Sequence, residues 1–235
     1  MNVGAFNAWT ITDRTPVNFV IPTSPVGPIF LRSWHEEGRV PVHGSAILLP
    51  LALTTVDWPR VNVTLDAGCY ALAPANANIA GGRGLMIHTP QYVGLPQLGG
   101  PAESGGRLKY IDGCSDSLLI CPAQRGEPCL NLLHLPAGTD QTQHTHPSDR
   151  IGIILRGGGV CRTPDGETAL TPGMFWYIPA ESRHSFHTYG DYLDVFAWHP
   201  DSDFGPSHDE HPMVNRTIVE GVAANDPRHA GIRTT

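Results

Sequence analysis

Apolar positions along this chain come in short runs, some continuous and some alternating with polar residues, and turn-forming residues close almost every run. The pattern predicts strands over Ile29–Trp34, Ala46–Leu53, Val61–Leu65, Cys69–Leu72, Leu118–Cys121, Leu130–Leu135, Ile151–Arg156, Met174–Ile178 and Tyr192–His199. Helical periodicity is scarce, and no window reads as a long capped amphipathic helix. The 26 glycines and 22 prolines are spread along the chain instead of marking one linker, as in an all-β sandwich or barrel.

The pattern also repeats. Leu65-Asp-Ala-Gly68-Cys-Tyr-Ala-Leu-Ala-Pro74-Ala resembles Leu170-Thr-Pro-Gly173-Met-Phe-Trp-Tyr-Ile-Pro179-Ala, and both 173 − 68 and 179 − 74 give 105. At the same offset the apolar run from Ala46 falls on the run from Ile151. Two matches in one register favour a duplicated β unit. The copies differ at one kind of position: Arg39, Pro41 and Ile79 stand where the second copy has His144, His146 and His184.

Those histidines are the candidate chemistry. A His-x-His pair at period 2 puts both imidazoles on one face of a strand, and a later strand can bring a third. Neutral imidazoles bind zinc, iron, copper, nickel or manganese, so the set defines a class of divalent metals. His187, three positions beyond His184, points to the opposite face of a regular strand and reads as structural. His134 reads equally as packing or pocket lining. His199, His208 and His211 lie in a polar C-terminal segment, a weaker candidate for a second metal site. Asp203-Phe-Gly205 mimics a kinase triplet without the rest of a kinase, and Gly157–Gly159 reads as a hairpin turn.

Composition narrows the alternatives. With 40% hydrophobic and 16% charged residues, the 235-residue chain can bury a sizeable core, in one large domain or two small ones. A formal charge of −7 without Lys/Arg clusters argues against nucleic acid as a partner. No apolar run reaches membrane-spanning length, and the N-terminus lacks the basic and apolar regions of a cleaved signal, so the expected location is cytoplasmic. Cys69, Cys114, Cys121, Cys129 and Cys161, odd in number and without a C-x2-C pair, then read as free thiols. The sequons at Asn62 and Asn215 carry little weight in that compartment.

Gly138-x5-His144-x-His146 with Gly157, followed by Gly173-x5-Pro179-x4-His184, resembles the two motifs of the cupin family. The sequence departs from them at Arg150, which holds the place of an acidic ligand, at Glu181, which replaces a glycine, and in lacking the final asparagine. The resemblance implies a bicupin of two jelly-roll, double-stranded β-helix barrels: an arm over 1–24, a degenerate domain over 25–104, a metal-binding domain over 105–200 and a tail over 201–235. It also implies a small-molecule substrate and a homo-oligomer. Three readings of Arg150 remain open. Either the metal rests on three histidines alone while Arg150, or Arg162 or Arg183, holds an anionic substrate; or a bulge turns Asp149 inward as a ligand; or Arg150 faces outward in an ion pair. The first leads to a three-His Fe(II) dioxygenase acting on a small organic acid or carbonyl compound, with Tyr177 and Glu181 as acid–base candidates and Trp176 and Phe186 as walls. With zinc, nickel or manganese the alternative is an O2-independent lyase, isomerase or cyclase. A ligand-binding or sensor protein is the non-enzymatic one.

Overall fold

The runs and turns of the sequence build two antiparallel β-barrels laid against each other, in a computed structural model that describes residues 4–11, 17–202 and 212–232. An N-terminal arm carries β1 (Asn7–Thr10) and β2 (Asn18–Ile21). The first barrel holds β3 (Ile29–Arg39), β4 (Ser45–Pro50), β5 (Thr54–Trp58), β6 (Val61–Leu65), β7 (Tyr70–Pro74) and β8 (Asn78–Thr89). The connection carries β9 (Gln97–Gly99) and β10 (Leu108–Lys109). The second barrel holds β11 (Ser115–Ile120), β12 (Cys129–Leu135), β13 (Arg150–Gly157), β14 (Gly159–Thr163), β15 (Gly166–Leu170), β16 (Met174–Ile178), β17 (Ser185–His187) and β18 (Leu193–His199). A short helix, α1 (Pro212–Arg216), and a small hairpin of β19 (Ile218–Val219) and β20 (Val222–Ala223) follow. No helix among the described residues is long and apolar enough to cross a membrane.

The halves repeat one another strand for strand. β4 pairs with β7 and β8 as β13 pairs with β16 and β18, and β5 pairs with β6 and β8 as β14 pairs with β15 and β17. The repeat extends to turn conformation: Gly68 has φ 87° and Gly173 has φ 84°, while Asn76 and Glu181, also 105 apart, have φ 64° and 58°. Both arm strands are used, β1 pairing with β16 of the second barrel and β2 with β3 of the first. β9 extends the first barrel's sheet through β7, and β10 extends the second's through β11.

Three apolar clusters explain this arrangement. The largest lies between the barrels, where Leu31, Leu49, Leu72 and Ile87 of the first sheet meet Leu132, Ile153, Phe175, Tyr177, Phe196 and Trp198 of the second. A second cluster, including Trp34, Val40, Leu48, Val56, Ile79 and Met86, fills the first barrel. Ile79, at the position equivalent to His184, is thus packing and not part of a hollow site. The third cluster, including Leu135, Ile154, Trp176, Ile178, Phe186 and Val195, lines the second barrel only in part and leaves a cavity. Strand β8 is absent from the sequence-based expectations, and Gly81, Gly82 and Gly84 interrupt its apolar pattern. They are a corner: residues 78–80 pair with β5 and 84–89 with β4, while Gly81 and Gly82 adopt φ 75° and 60°.

Candidate metal centre and cavity

His144 and His146 lie in an extended segment between β12 and β13, not in the regular strand that the His-x-His spacing suggested. Backbone clamps substitute for a strand. His144 and His184 exchange paired hydrogen bonds of 2.9 and 3.0 Å, and the Glu181 N–H donates to the His146 carbonyl at 2.7 Å. The three rings stand with centroids 4.7 to 5.2 Å apart, and one nitrogen of each lies within 4.8 Å of the others.

The donor set fits a divalent ion. Nδ1 of His144 meets the Thr142 carbonyl at 2.8 Å and Nδ1 of His184 meets the Ser182 carbonyl at 2.9 Å. A carbonyl only accepts, so Nδ1 carries the hydrogen and Nε2 presents its lone pair. Burial pushes His146 down to about 3 and His184 down to about 4, and the Arg150 charge adds to both shifts, so these two rings are uncharged at ordinary pH. Among the described residues no carboxylate or thiol joins this cluster.

Asp149 is committed elsewhere. Its Oδ1 accepts from the Tyr177 hydroxyl at 3.2 Å and the Ala180 N–H at 2.9 Å, which removes the bulge reading. Arg150 instead lines the cavity with the three histidines, so the outward ion pair is set aside as well. Its Nη1 donates to Ser148 O at 3.1 Å, Ser148 Oγ at 2.6 Å and Asp149 O at 3.1 Å. Ser148 Oγ in turn donates to the Asp201 carboxylate. Nε and Nη2 donate to no group among the described residues, which leaves two donors for a ligand.

Two acid–base candidates fall outside the cavity. In β16, Trp176 and Ile178 face the hollow while Phe175 and Tyr177 enter the inter-barrel core, so the Tyr177 hydroxyl reaches Asp149 instead. Its pKa is raised by burial first and then by the Asp149 charge. Glu181 sits exposed on the turn, where its carboxylate takes the Thr145 hydroxyl at 3.4 Å. It serves the site through its backbone N–H. Trp176 and Phe186 do line the cavity, while Arg162 pairs with Glu167 at 2.5 Å away from it.

The cavity measures about 260 Å³, small for an organic ligand site. Sequence reasoning missed Tyr110, Asp116 and Asn131, which also line it, and gave His199 to the tail. The legible signal was alternation: Asn131 sits between Leu130 and Leu132, and His199 follows Trp198, so each is a polar residue at an inward position of a core strand. His199 Nε2 lies 2.7 Å from Cys129 Sγ; burial pushes the histidine down to about 4 and the thiol up to about 12. Cys129 is therefore a thiol, and all five cysteines are free. His187 is bound to Asp140 at 2.8 Å and Ser185 at 2.7 Å, and His134 to Asp194 at 2.6 Å, so neither is a ligand. His208, His211 and the 203–205 triplet lie outside the described residues.

Residues 131–198, from β12 through β18, match the family model of the cupin domain. This segment of the second barrel is a cupin domain. The fold of the chain recurs in a cupin 2 conserved barrel domain protein from Leptotrichia buccalis, 16% identical, with 82% of this chain and 92% of that chain aligned at a TM-score of 0.58. A putative glyoxylate induced protein from Pseudomonas aeruginosa aligns at 13% identity over 88% and 92% of the chains with a TM-score of 0.61. A salicylate 1,2-dioxygenase from Pseudaminobacter salicylatoxidans aligns at 12% identity over 84% of both, with a TM-score of 0.57. At such identities these matches show the fold. Among curated proteins, a probable quinate dehydrogenase (quinone) from Xanthomonas campestris pv. juglandis is 24% identical over 140 residues, 58% of this cupin chain. The cupin spans only 16% of that relative's length.

Proposed function

We propose that this cupin is a metal-dependent enzyme, a non-haem iron dioxygenase with a three-His centre that takes a small organic acid or carbonyl compound. The observation that carries the reading is Arg150, a guanidinium whose Nε and Nη2 donate to no group among the described residues, beside three clustered imidazoles. Three neutral ligands leave the charge of a divalent ion uncompensated, and Arg150 adds to it. The cavity therefore favours an anion, and a carboxylate or enolate matches the guanidinium fork bidentately. Ser148 and the Asp149 carbonyl fix Nη1 and so orient the fork, while Trp176 and Phe186 limit water around the bound carbon skeleton. When bound, iron(II) supplies open coordination positions where an anionic substrate and O2 can meet. That a salicylate 1,2-dioxygenase shares the fold is consistent with this class of reaction.

The test begins with element analysis of protein purified without chelator, followed by O2 uptake with iron(II) and a panel of hydroxy and oxo acids. The expected result is stoichiometric iron, acid-dependent O2 uptake, and loss of that uptake in Arg150→Met with metal content retained. Turnover under argon would move the protein to the lyase, isomerase or cyclase class. Absence of bound metal, with a melting temperature unchanged by chelation, would overturn the enzyme reading.

A further inference from the structure

Asp116 lines the same cavity as Arg150, yet no cation pairs with it among the described residues. Its oxygens take the Asn131 amide at 3.0 and 2.9 Å, and the Asn131 carbonyl takes the Cys129 thiol at 3.3 Å. Tyr110 and Cys129 each lie within electrostatic reach of both Arg150 and Asp116, so a cationic and an anionic side chain share one small hollow. Burial raises the Asp116 carboxyl, the response of an acid drawn out of water without a counter-charge. Such a group is costly to keep unless something supplies donors to it.

We propose that Asp116, held by Asn131, is a specificity-determining pole that selects substrates with a hydroxyl or ammonium group at the end remote from the carboxylate held by Arg150. The inference rests on the anion-binding role given to Arg150 above. A carboxylate accepts from several directions, and one amide group leaves lone pairs free for a ligand donor. Leu133, Trp176, Ile178, Phe186 and Ala197 supply apolar wall for the carbon skeleton. The favoured ligand is thus a small bifunctional acid, anionic at one end and a hydrogen-bond donor at the other.

The probes are straight-chain acids of three to five carbons, each unsubstituted, ω-hydroxylated and ω-aminated, titrated by calorimetry into the protein as purified. At one chain length or more, the hydroxy or amino acid should bind at least tenfold more tightly than its unsubstituted partner, as expected of a hydrogen bond to a half-buried charge. Asp116→Leu should bring the pair within about twofold, because the donor at the far end then loses its acceptor. Asp116→Asn, which keeps the shape and an acceptor, should weaken the amino acid more than the hydroxy acid. Equal binding of all three classes at every length, with affinity still dependent on Arg150, overturns the selective pole alone. Absence of binding, or binding that Arg150→Met leaves unchanged, overturns the anion site as well.

Discussion

Asp149→Ala separates a structural carboxylate from a ligand. Asp149 neighbours the metal cluster in sequence, but its Oδ1 takes the Tyr177 hydroxyl and the Ala180 N–H. Truncation leaves both donors without that acceptor. The Tyr177 hydroxyl is buried and bonded to a charge, worth about 2 kcal/mol. Ala180 is exposed and its N–H can be rehydrated in part, so its share is about 1 kcal/mol. The total of about 3 kcal/mol corresponds, in a chain of this size, to a fall in melting temperature of about 6–12 °C. Denaturant unfolding and thermal melts of chelated protein read this directly, and element analysis of the reloaded variant reads the metal. The expected variant is destabilised and still binds one metal ion. Loss of metal at an unchanged melting temperature would refute the reasoning, since only a ligand role for Asp149 gives that combination.

His184→Ala should reduce metal occupancy at least tenfold in competition with a chelator, because the ring is pinned by Ser182 and by its bridge to His144. Full occupancy would remove it from the ligand set. His199 should make the metal-free protein acid-sensitive: its folded pKa is about 4 against about 6.5 unfolded, so the unfolded chain binds the extra proton between those values. Stability, complete above about pH 6.5, then falls by about 2 kcal/mol between pH 7.5 and 5, and His199→Gln should flatten that share of the urea-midpoint profile. Parallel profiles count against it. Gly152→Ala should cost about 3 kcal/mol or more, because its Cβ would lie 2.1 Å from the Phe196 carbonyl and 2.4 Å from the Trp176 ring. A variant that melts within a degree of the parent would show that β13 can shift freely, contrary to the packing.

The spacing of Gly138, His144, His146, Gly173, Pro179 and His184 was enough to pick out three histidines that the structure brings together. The facing of β16 was not readable. Both of its sides are buried, one by the cavity and one by the inter-barrel core, so polar alternation is erased between Trp176 and Tyr177. Glu181 could not be placed because a residue at φ 58° ends the strand pattern that would give its direction. Asp116 and Asn131 carry no motif at all. They become neighbours only when β11 pairs with β12, and a single sequence read linearly gives no weight to that meeting.

The apolar seam between the barrels has a consequence for how such a protein can change. Leu130, Leu132, Ile151, Ile153, Phe175, Phe196 and Trp198 alternate along their strands with residues that look into the second barrel or pack its lining. A second barrel made alone would bare that whole face, a patch of the kind that drives aggregation. The ligand-free half therefore serves as a permanent packing partner. One side of each strand is bound to that task, so inward positions that line the cavity, unlike the tightly packed Gly152, can be exchanged to admit a different molecule while the seam keeps the fold. Drift, selection or a designer can rewrite the chamber without reopening the question of whether the chain folds.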